Sequence, residues 1–187
     1  MHGVTKTFAI ILSGLLAMAF APQGDIYFTR DGHVSFYSKT DLEDIKADNN
    51  QAAVILNKAS GAVDVGILVN AFQFKLAKMQ EHFNETYMES TKYPKATFKG
   101  TLSNLAEIKF ATPGVYPAKA SGTLTMHGVS KPVTITEGTL EVKGNQLLMK
   151  GVFNVNPADY NIAIPAAVKD KIAKSIRIQV DCTLNPK

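Results

Sequence analysis

His127 and Lys131 are the pair in this chain best placed for proton chemistry. They stand four residues apart in the stretch Ala120–Ile135 (ASGTLTMHGVSKPVTI), an imidazole base beside an ammonium. The pattern around them argues for a structural role instead. Leu124 and Met126 point one way, and Thr123, Thr125 and His127 the other, which is the period-two signal of a half-buried antiparallel strand. His127 then points away from the core, towards a surface or loop hydrogen bond. The apolar face resumes at Val133 and Ile135. A connection centred on Val129-Ser130 sets Met126 opposite Val133 and Leu124 opposite Ile135. Val-Ser suits a two-residue primed turn poorly, so a looser loop of about four residues on a type I turn is expected. Pro132 has no N–H to give and belongs at a strand start or on an edge.

The remaining reactive residues carry less. His82 and Glu85, with Glu81 and Glu89, suggest a helical metal site, but too few ligands have proper spacing, and a solvated helix face fits better. Cys182 alternates with Ile176, Ile178, Val180 and Leu184, as a small buried hydrophobe does. No G-x-S-x-G, H-E-x-x-H, Cys-His pair or glycine-rich phosphate loop occurs. The residues therefore point to no catalytic group, no metal and no cofactor.

The elements that must position any site read as mostly β. The chain has 187 residues, enough for one domain. Residues 1–21 read as a secretory signal peptide: Lys6, a short apolar run from Phe8 to Phe20, and Ala19-Phe20-Ala21 as a cleavage site. The mature domain then spans 22–187 and is periplasmic or secreted. With a single cysteine it has no internal disulfide and is held by its core. The net charge is +4, with the basic residues spread out, which argues against nucleic acid as a partner and allows a transient contact with a membrane surface.

Short strands follow one another: Ile26–Arg30, a turn at Asp31-Gly32, His33–Ser38, Ile45–Asp48, a turn at Asn49-Asn50, Gln51–Asn57 and Ala62–Val69. Residues 70–90 change period. Phe72, Leu76, Met79, Phe83 and Tyr87 make one stripe of an amphipathic helix, broken near Lys75, with Phe74 outside it. Tyr93-Pro94 ends it. Strand alternation returns at Lys95–Leu102. After Ile135 the apolar phase slips, which a bulge near Glu137-Gly138 would absorb. A turn at Gly144-Asn145 pairs Val142 with Leu147 and Leu140 with Met149. Ser175–Leu184 is the last strand. One helix in a β chain must bury its stripe against a sheet or over an opening. An eight-stranded barrel has room for packed side chains or for one small ligand, and small residues (Ala118, Ala120, Gly122) along the inner wall leave either outcome open.

The motif G-x-L-T-x-H-G-V-x-K-P-V over Gly122–Val133 resembles the signature of the bacterial YceI-like proteins. Tyr93-Pro94-Lys95-Ala96-Thr97-Phe98, and the preceding Met79–Glu85, are similar to the segments that lead into it. The resemblance implies an all-β, eight-stranded antiparallel lipocalin-like barrel with one amphipathic helix covering an end. It also implies an exported, non-enzymatic carrier for a long-chain isoprenoid lipid or isoprenoid quinone. On that reading the cavity is lined by Phe36, Val54, Val65 and Ile67 from the first strands and by Phe72, Met79 and Phe83 from the helical region. Phe98, Leu124, Met126, Val133, Ile135, Leu140, Phe153, Ile178 and Val180 complete it. The alternatives are a lipid-modifying enzyme on the same barrel, or a structural module whose core is simply filled.

Overall fold

The computed structural model describes residues 24–187; the signal-peptide expectation for residues 1–21 falls outside them. The strands are β1 (Ile26–Lys39), β2 (Asp44–Asn57), β3 (Ala62–Leu68), β4 (Gln73–Phe74), β5 (Lys95–Leu102), β6 (Gly114–Pro117), β7 (Ala120–Met126), β8 (Val129–Ile135), β9 (Glu137–Lys143), β10 (Gln146–Val155) and β11 (Ile176–Pro186). The helix α1 is Ala77–His82. The strands form one antiparallel sheet in the order β6-β9-β10-β11-β1-β2-β3-β5-β7-β8, with β4 added to β2. The sheet curls into a half-barrel of eleven strands, not the eight expected.

The difference in strand count has local causes. The expected turns at Asp31-Gly32 and Asn49-Asn50 are irregularities inside two continuous 14-residue strands. Gly32 is there for close approach. A Cβ on it would lie 2.6 Å from the Cys182 Sγ and 3.0 Å from the Ala52 carbonyl oxygen. Asn49 is fully buried. Its Nδ2 donates to the Leu68 carbonyl (3.0 Å), and its Oδ1 accepts from the Gln51 N–H (2.8 Å). A turn-forming residue thus serves a bent strand by satisfying backbone groups that the bend displaces from the ladder. Counting rises again through the short β4 and β6 and through a break at Thr136.

That break replaces the expected bulge. β8 and β9 are separated by Thr136 alone, yet β8 pairs with β7 while β9 pairs with β6 and β10. The chain crosses between the two ends of the curled sheet here, and the apolar phase slips because the strand changes neighbours. β8 is the last strand in the order, so Pro132 lies on an edge, paired in register with Thr123.

The core follows the alternation. Leu56, Leu140, Leu147 and Leu184 are fully buried, as are Val54 and Cys182. Each large side chain so placed stabilises the fold by roughly 1.5–3 kcal/mol. The Gly144-Asn145 turn gives the anticipated Val142–Leu147 and Leu140–Met149 pairs. Burial, aided by the nearby Asp181 carboxylate, pushes the Cys182 thiol up from 9.0 to about 12. An unfolded thiol ionises near 9, and the folded one stays neutral. The stability from this group is therefore complete below pH 9 and is lost as the pH rises towards 12. Urea titrations from about pH 8 to 11 should show wild-type stability falling above about pH 9, with that part of the fall missing in Cys182→Ala.

Candidate functional site

The region read as one amphipathic helix is built from several pieces. Val69–Ala71 is a single tight turn, and β4 ties Phe74 to Ala47 of β2. The helix α1 runs into a widened turn over Phe83–Tyr87. A ring reaching inward from a strand need not obey a helical stripe, so Phe74 joins the cluster the helical reading leaves it out of. Phe36 of β1 lies 5.4 Å from Phe72, 5.7 Å from Phe74 and 5.4 Å from Phe83, ring centre to ring centre. Phe72 and Phe83 are 5.6 Å apart, and Phe74 and Phe83 5.0 Å apart. These spacings are in the range where aromatic pairs attract beyond their area burial.

Beside this cluster lies a cavity of about 290 Å³ with an almost wholly apolar wall. A dry cavity of about 150 Å³ suffices for benzene, so this space corresponds to about a dozen carbon atoms. Phe36, Ile67, Phe72, Met79, Phe83, Leu124, Met126, Phe153 and Ile178 line it, all of them anticipated from the sequence. The other anticipated residues do not. Val54, Leu140 and Phe98 are buried in the filled part of the core, and Val65, Val133, Ile135 and Val180 pack against it. Parity along a strand separates inward from outward; it says nothing of depth along the barrel, and the cavity occupies one end only.

Ile162, Ile164, Val168 and Ile172 complete the wall from the connection between β10 and β11. The Ile-x-Ile spacing at 162–164 is the available signal in the sequence, hidden by turn residues on either side. This connection is fastened at two points. The Ala173 N–H donates to the Ser38 Oγ at 2.8 Å. At the other, the His127 Nδ1 donates to the Tyr160 carbonyl at 2.9 Å, and the His127 Nε2 lies 3.0 Å from the Glu89 carboxylate. Both partners are acceptors, so the ring makes both hydrogen bonds only when it carries two protons.

His127 is thus not the outward surface residue that alternation predicts. Its side chain is 9% exposed, with its edge against the Tyr93 ring at 4.6 Å. The reason is the turn. β7 and β8 are joined by His127-Gly128 alone, both left-handed (φ 50° and 74°), so the pairs are Met126–Val129 and Leu124–Lys131. The expected four-residue loop and its pairing are corrected to this tighter hairpin, although the inward face is unchanged. Glycine follows His127 because a Cβ at 128 would lie 2.7 Å from the Tyr93 ring. Glu89, His127 and Asn161, the non-glycine residues with positive φ among those described, all fall at this junction. Replacing His127 by alanine removes two hydrogen bonds and leaves a Cβ residue left-handed without compensation. The expected cost is about 2 kcal/mol in urea denaturation. A loss below about 0.5 kcal/mol would show that the junction is idle.

A second, polar concavity adjoins the cavity. It is lined by Tyr37, Lys39, Asp44, Lys46, Ser175, Arg177 and Gln179, and it shares Ser38 and Ile45 with the apolar one. Among the described residues no group of three or more His, Cys, Asp or Glu side chains could hold a metal ion.

The family model for the YceI-like domain matches residues 23–184. The chain belongs to the YceI-like family. Solved structures share this YceI-like fold at low identity. A polyisoprenoid binding domain from Saccharophagus degradans, described as implicated in plant cell wall breakdown, is 12% identical with a TM-score of 0.72, over 88% of this chain and 100% of that one. BcnA of Burkholderia cenocepacia is 19% identical with a TM-score of 0.67, over 82% and 95%. The YCEI protein of Campylobacter jejuni is 16% identical with a TM-score of 0.55, over 98% and 99%. No curated protein matches the chain. In this YceI-like chain the signature residues His127, Gly128 and Pro132 make a turn, a junction and an edge.

Proposed function

We propose that this YceI-like protein is an exported, non-enzymatic carrier that holds an isoprenoid lipid, or the tail of an isoprenoid quinone, in the apolar cavity. The observation that carries the proposal is the cavity wall itself, where aromatic and aliphatic side chains enclose room for about a dozen carbons. Burial of the tail supplies the affinity, at roughly 0.8 kcal/mol per CH₂. The fold is shared with a domain described as polyisoprenoid binding, which supports the choice of ligand class. The basic start, apolar run and cleavage pattern of residues 1–21 support export. A carrier needs no catalytic set, and the polar side chains on the wall are Ser38, Glu43, His82, Tyr87 and Lys171, with the Ser38 hydroxyl already accepting from the Ala173 N–H.

Native mass spectrometry of protein purified gently from its own host is the direct test. A co-purifying isoprenoid, displaced in a Leu124→Trp variant that fills the cavity, is the expected result. Protein that carries no lipid and takes up neither an isoprenoid alcohol nor an isoprenoid quinone would sink the proposal.

A further inference from the structure

Three pieces of the cavity wall meet at His127. The segment before β5 brings Phe83 and Met88 to the cavity, and the Glu89 carboxylate to the His127 Nε2. The β7–β8 hairpin brings Leu124 and Met126, and carries His127 in its turn. The connection between β10 and β11 brings Ile162 and Ile164, and offers the Tyr160 carbonyl to the His127 Nδ1. That connection is lightly held. Its own backbone hydrogen bonds are short-range, such as those from the Ile162 N–H to the Pro157 carbonyl (3.0 Å) and from the Val168 N–H to the Pro165 carbonyl (3.0 Å). Its hydrogen bonds to the rest of the fold, among the described residues, are those to His127 and Ser38. A segment held by so few bonds opens locally at low cost.

The link at His127 depends on the charge of its ring. A neutral imidazole has a single N–H for two acceptors. The carboxylate is the stronger acceptor, so the remaining proton stays on Nε2 and the Tyr160 carbonyl loses its donor. Backbone strain favours that release, because Glu89, His127 and Asn161 all hold left-handed conformations at this junction. The groups around the ring keep their state while it titrates. Lys92 stands 3.8 Å from the Glu89 carboxylate. Its hydrogen bond to Tyr93, together with that carboxylate, holds its ammonium above the usual range. Burial, and then the Asp159 carboxylate, pushes the Tyr160 phenol up, so it stays neutral. Tyr93 presents its ring to His127, and Asp159 and, on β8, Lys131 are exposed. The second fastening, Ala173 to Ser38, contains no titratable group.

We propose that His127 is a pH-operated clasp on the cavity wall: its charged ring ties the connection to Glu89, and its neutral ring lets the Tyr160 end swing away about Ser38. Histidine ordinarily changes charge between about pH 5 and 8. The wall is therefore closed on the acidic side of that range and opens as the pH rises. The consequence for cargo, retention at lower pH and release at higher pH, rests on the lipid-cavity reading; the clasp itself does not.

Hydrogen exchange on the whole chain at about pH 5.5 and about pH 8, with rates corrected for the intrinsic effect of pH, reads the clasp directly. In wild type the Ile162 N–H should lose about tenfold in protection at the higher pH, the effect of one hydrogen bond from a charged group, while the Ala173 N–H keeps its own. In His127→Asn the turn becomes Asn-Gly, a favoured two-residue hairpin turn, so the fold is kept. Ile162 should then be weakly protected at both pH values. In Glu89→Gln the amide donates to a neutral ring or accepts from a charged one, so the Tyr160 link is kept in either state. The pH dependence should vanish there with the protection retained. His82, which also lines the cavity, is present in every variant, so an effect of its titration would persist in both. Wild-type protection that does not change with pH, or a change that survives His127→Asn, overturns the clasp. Dodecanol, titrated by calorimetry in the same two buffers, reads the coupling to cargo. Wild type should bind it about fivefold more tightly at the lower pH, and His127→Asn equally at both. Equal binding by wild type overturns the release role. No binding at either pH overturns the lipid-cavity reading, and the exchange result still decides the clasp.

Discussion

Valine in place of Gly122 should cost about 3 kcal/mol or more, and lower the melting temperature by about 10 °C. Gly122 on β7 faces Gly100 on β5, and the Phe98 ring lies across both. A Cβ at 122 would sit 2.4 Å from the Lys99 carbonyl oxygen, 2.5 Å from the Gly100 Cα and 2.8 Å from the Phe98 ring. Two of these neighbours are backbone and cannot rotate away, so the strands would have to separate. Phe98 is buried in the filled part of the core, so displacing its ring also opens a gap. Gly144 is the control, because a Cβ there meets nothing within 4 Å and only its left-handed turn conformation (φ 61°) is at stake. Thermal unfolding of Gly122→Val, Gly122→Ala and Gly144→Asn should rank them in that order of damage. A Gly122→Val melting temperature within about 2 °C of wild type would contradict the close approach of β5 and β7.

Affinity for linear alcohols should rise steeply with chain length and then stop. From hexanol to dodecanol each CH₂ adds roughly 0.8 kcal/mol when it is buried, which over six carbons is more than about a thousandfold in Kd. Past about a dozen carbons the cavity is full, because it measures about 290 Å³ and the Phe36, Phe72, Phe74 and Phe83 rings, packed on one another, form part of its wall. Tetradecanol and hexadecanol should then bind no better than dodecanol. A longer isoprenoid would lodge its terminal units and leave the rest outside. Phe36→Ala should shift the plateau to longer chains by about three carbons, since it removes the ring that touches the other three. A steady rise through hexadecanol in wild type would mean that the aromatic cluster parts to admit a longer tail.

The strands and their facing residues are largely legible in the sequence, because alternation reports which side of a sheet a residue takes. It sets Phe36, Leu124, Met126 and Ile178 inward, and they are inward in the fold. Depth is not legible. Leu124 lines the cavity, while Leu140, equally apolar and equally inward, is sealed in the core. The difference depends on which strand ends meet, a non-local fact. Turn chemistry misleads in both directions. Asp31-Gly32 and Asn49-Asn50 look like turns but lie within strands, and His127-Gly128 is a two-residue turn where a wider loop is expected. A histidine rarely takes a left-handed position unaided. It does so here because its ring gains the Tyr160 carbonyl, the Glu89 carboxylate and the Tyr93 face. None of those partners is a neighbour along the chain. The wall from Ile162 to Ile172 escapes sequence reading for a similar reason: an irregular segment has no period to read.

The two ends of the sheet are β6 and β8, and each carries a proline, Pro117 and Pro132. An end strand offers unpaired N–H and C=O groups that a second molecule can join to extend the sheet. A proline denies it a donor, and a lysine brings a charge that the next molecule would have to desolvate. β6 is also only four residues long. On β8 the exposed run Ser130-Lys131-Pro132 does both jobs at once. The lysine and proline that follow His127 in the motif, and look at first like half of an active site, keep neighbouring copies of this curled sheet from zipping together edge to edge.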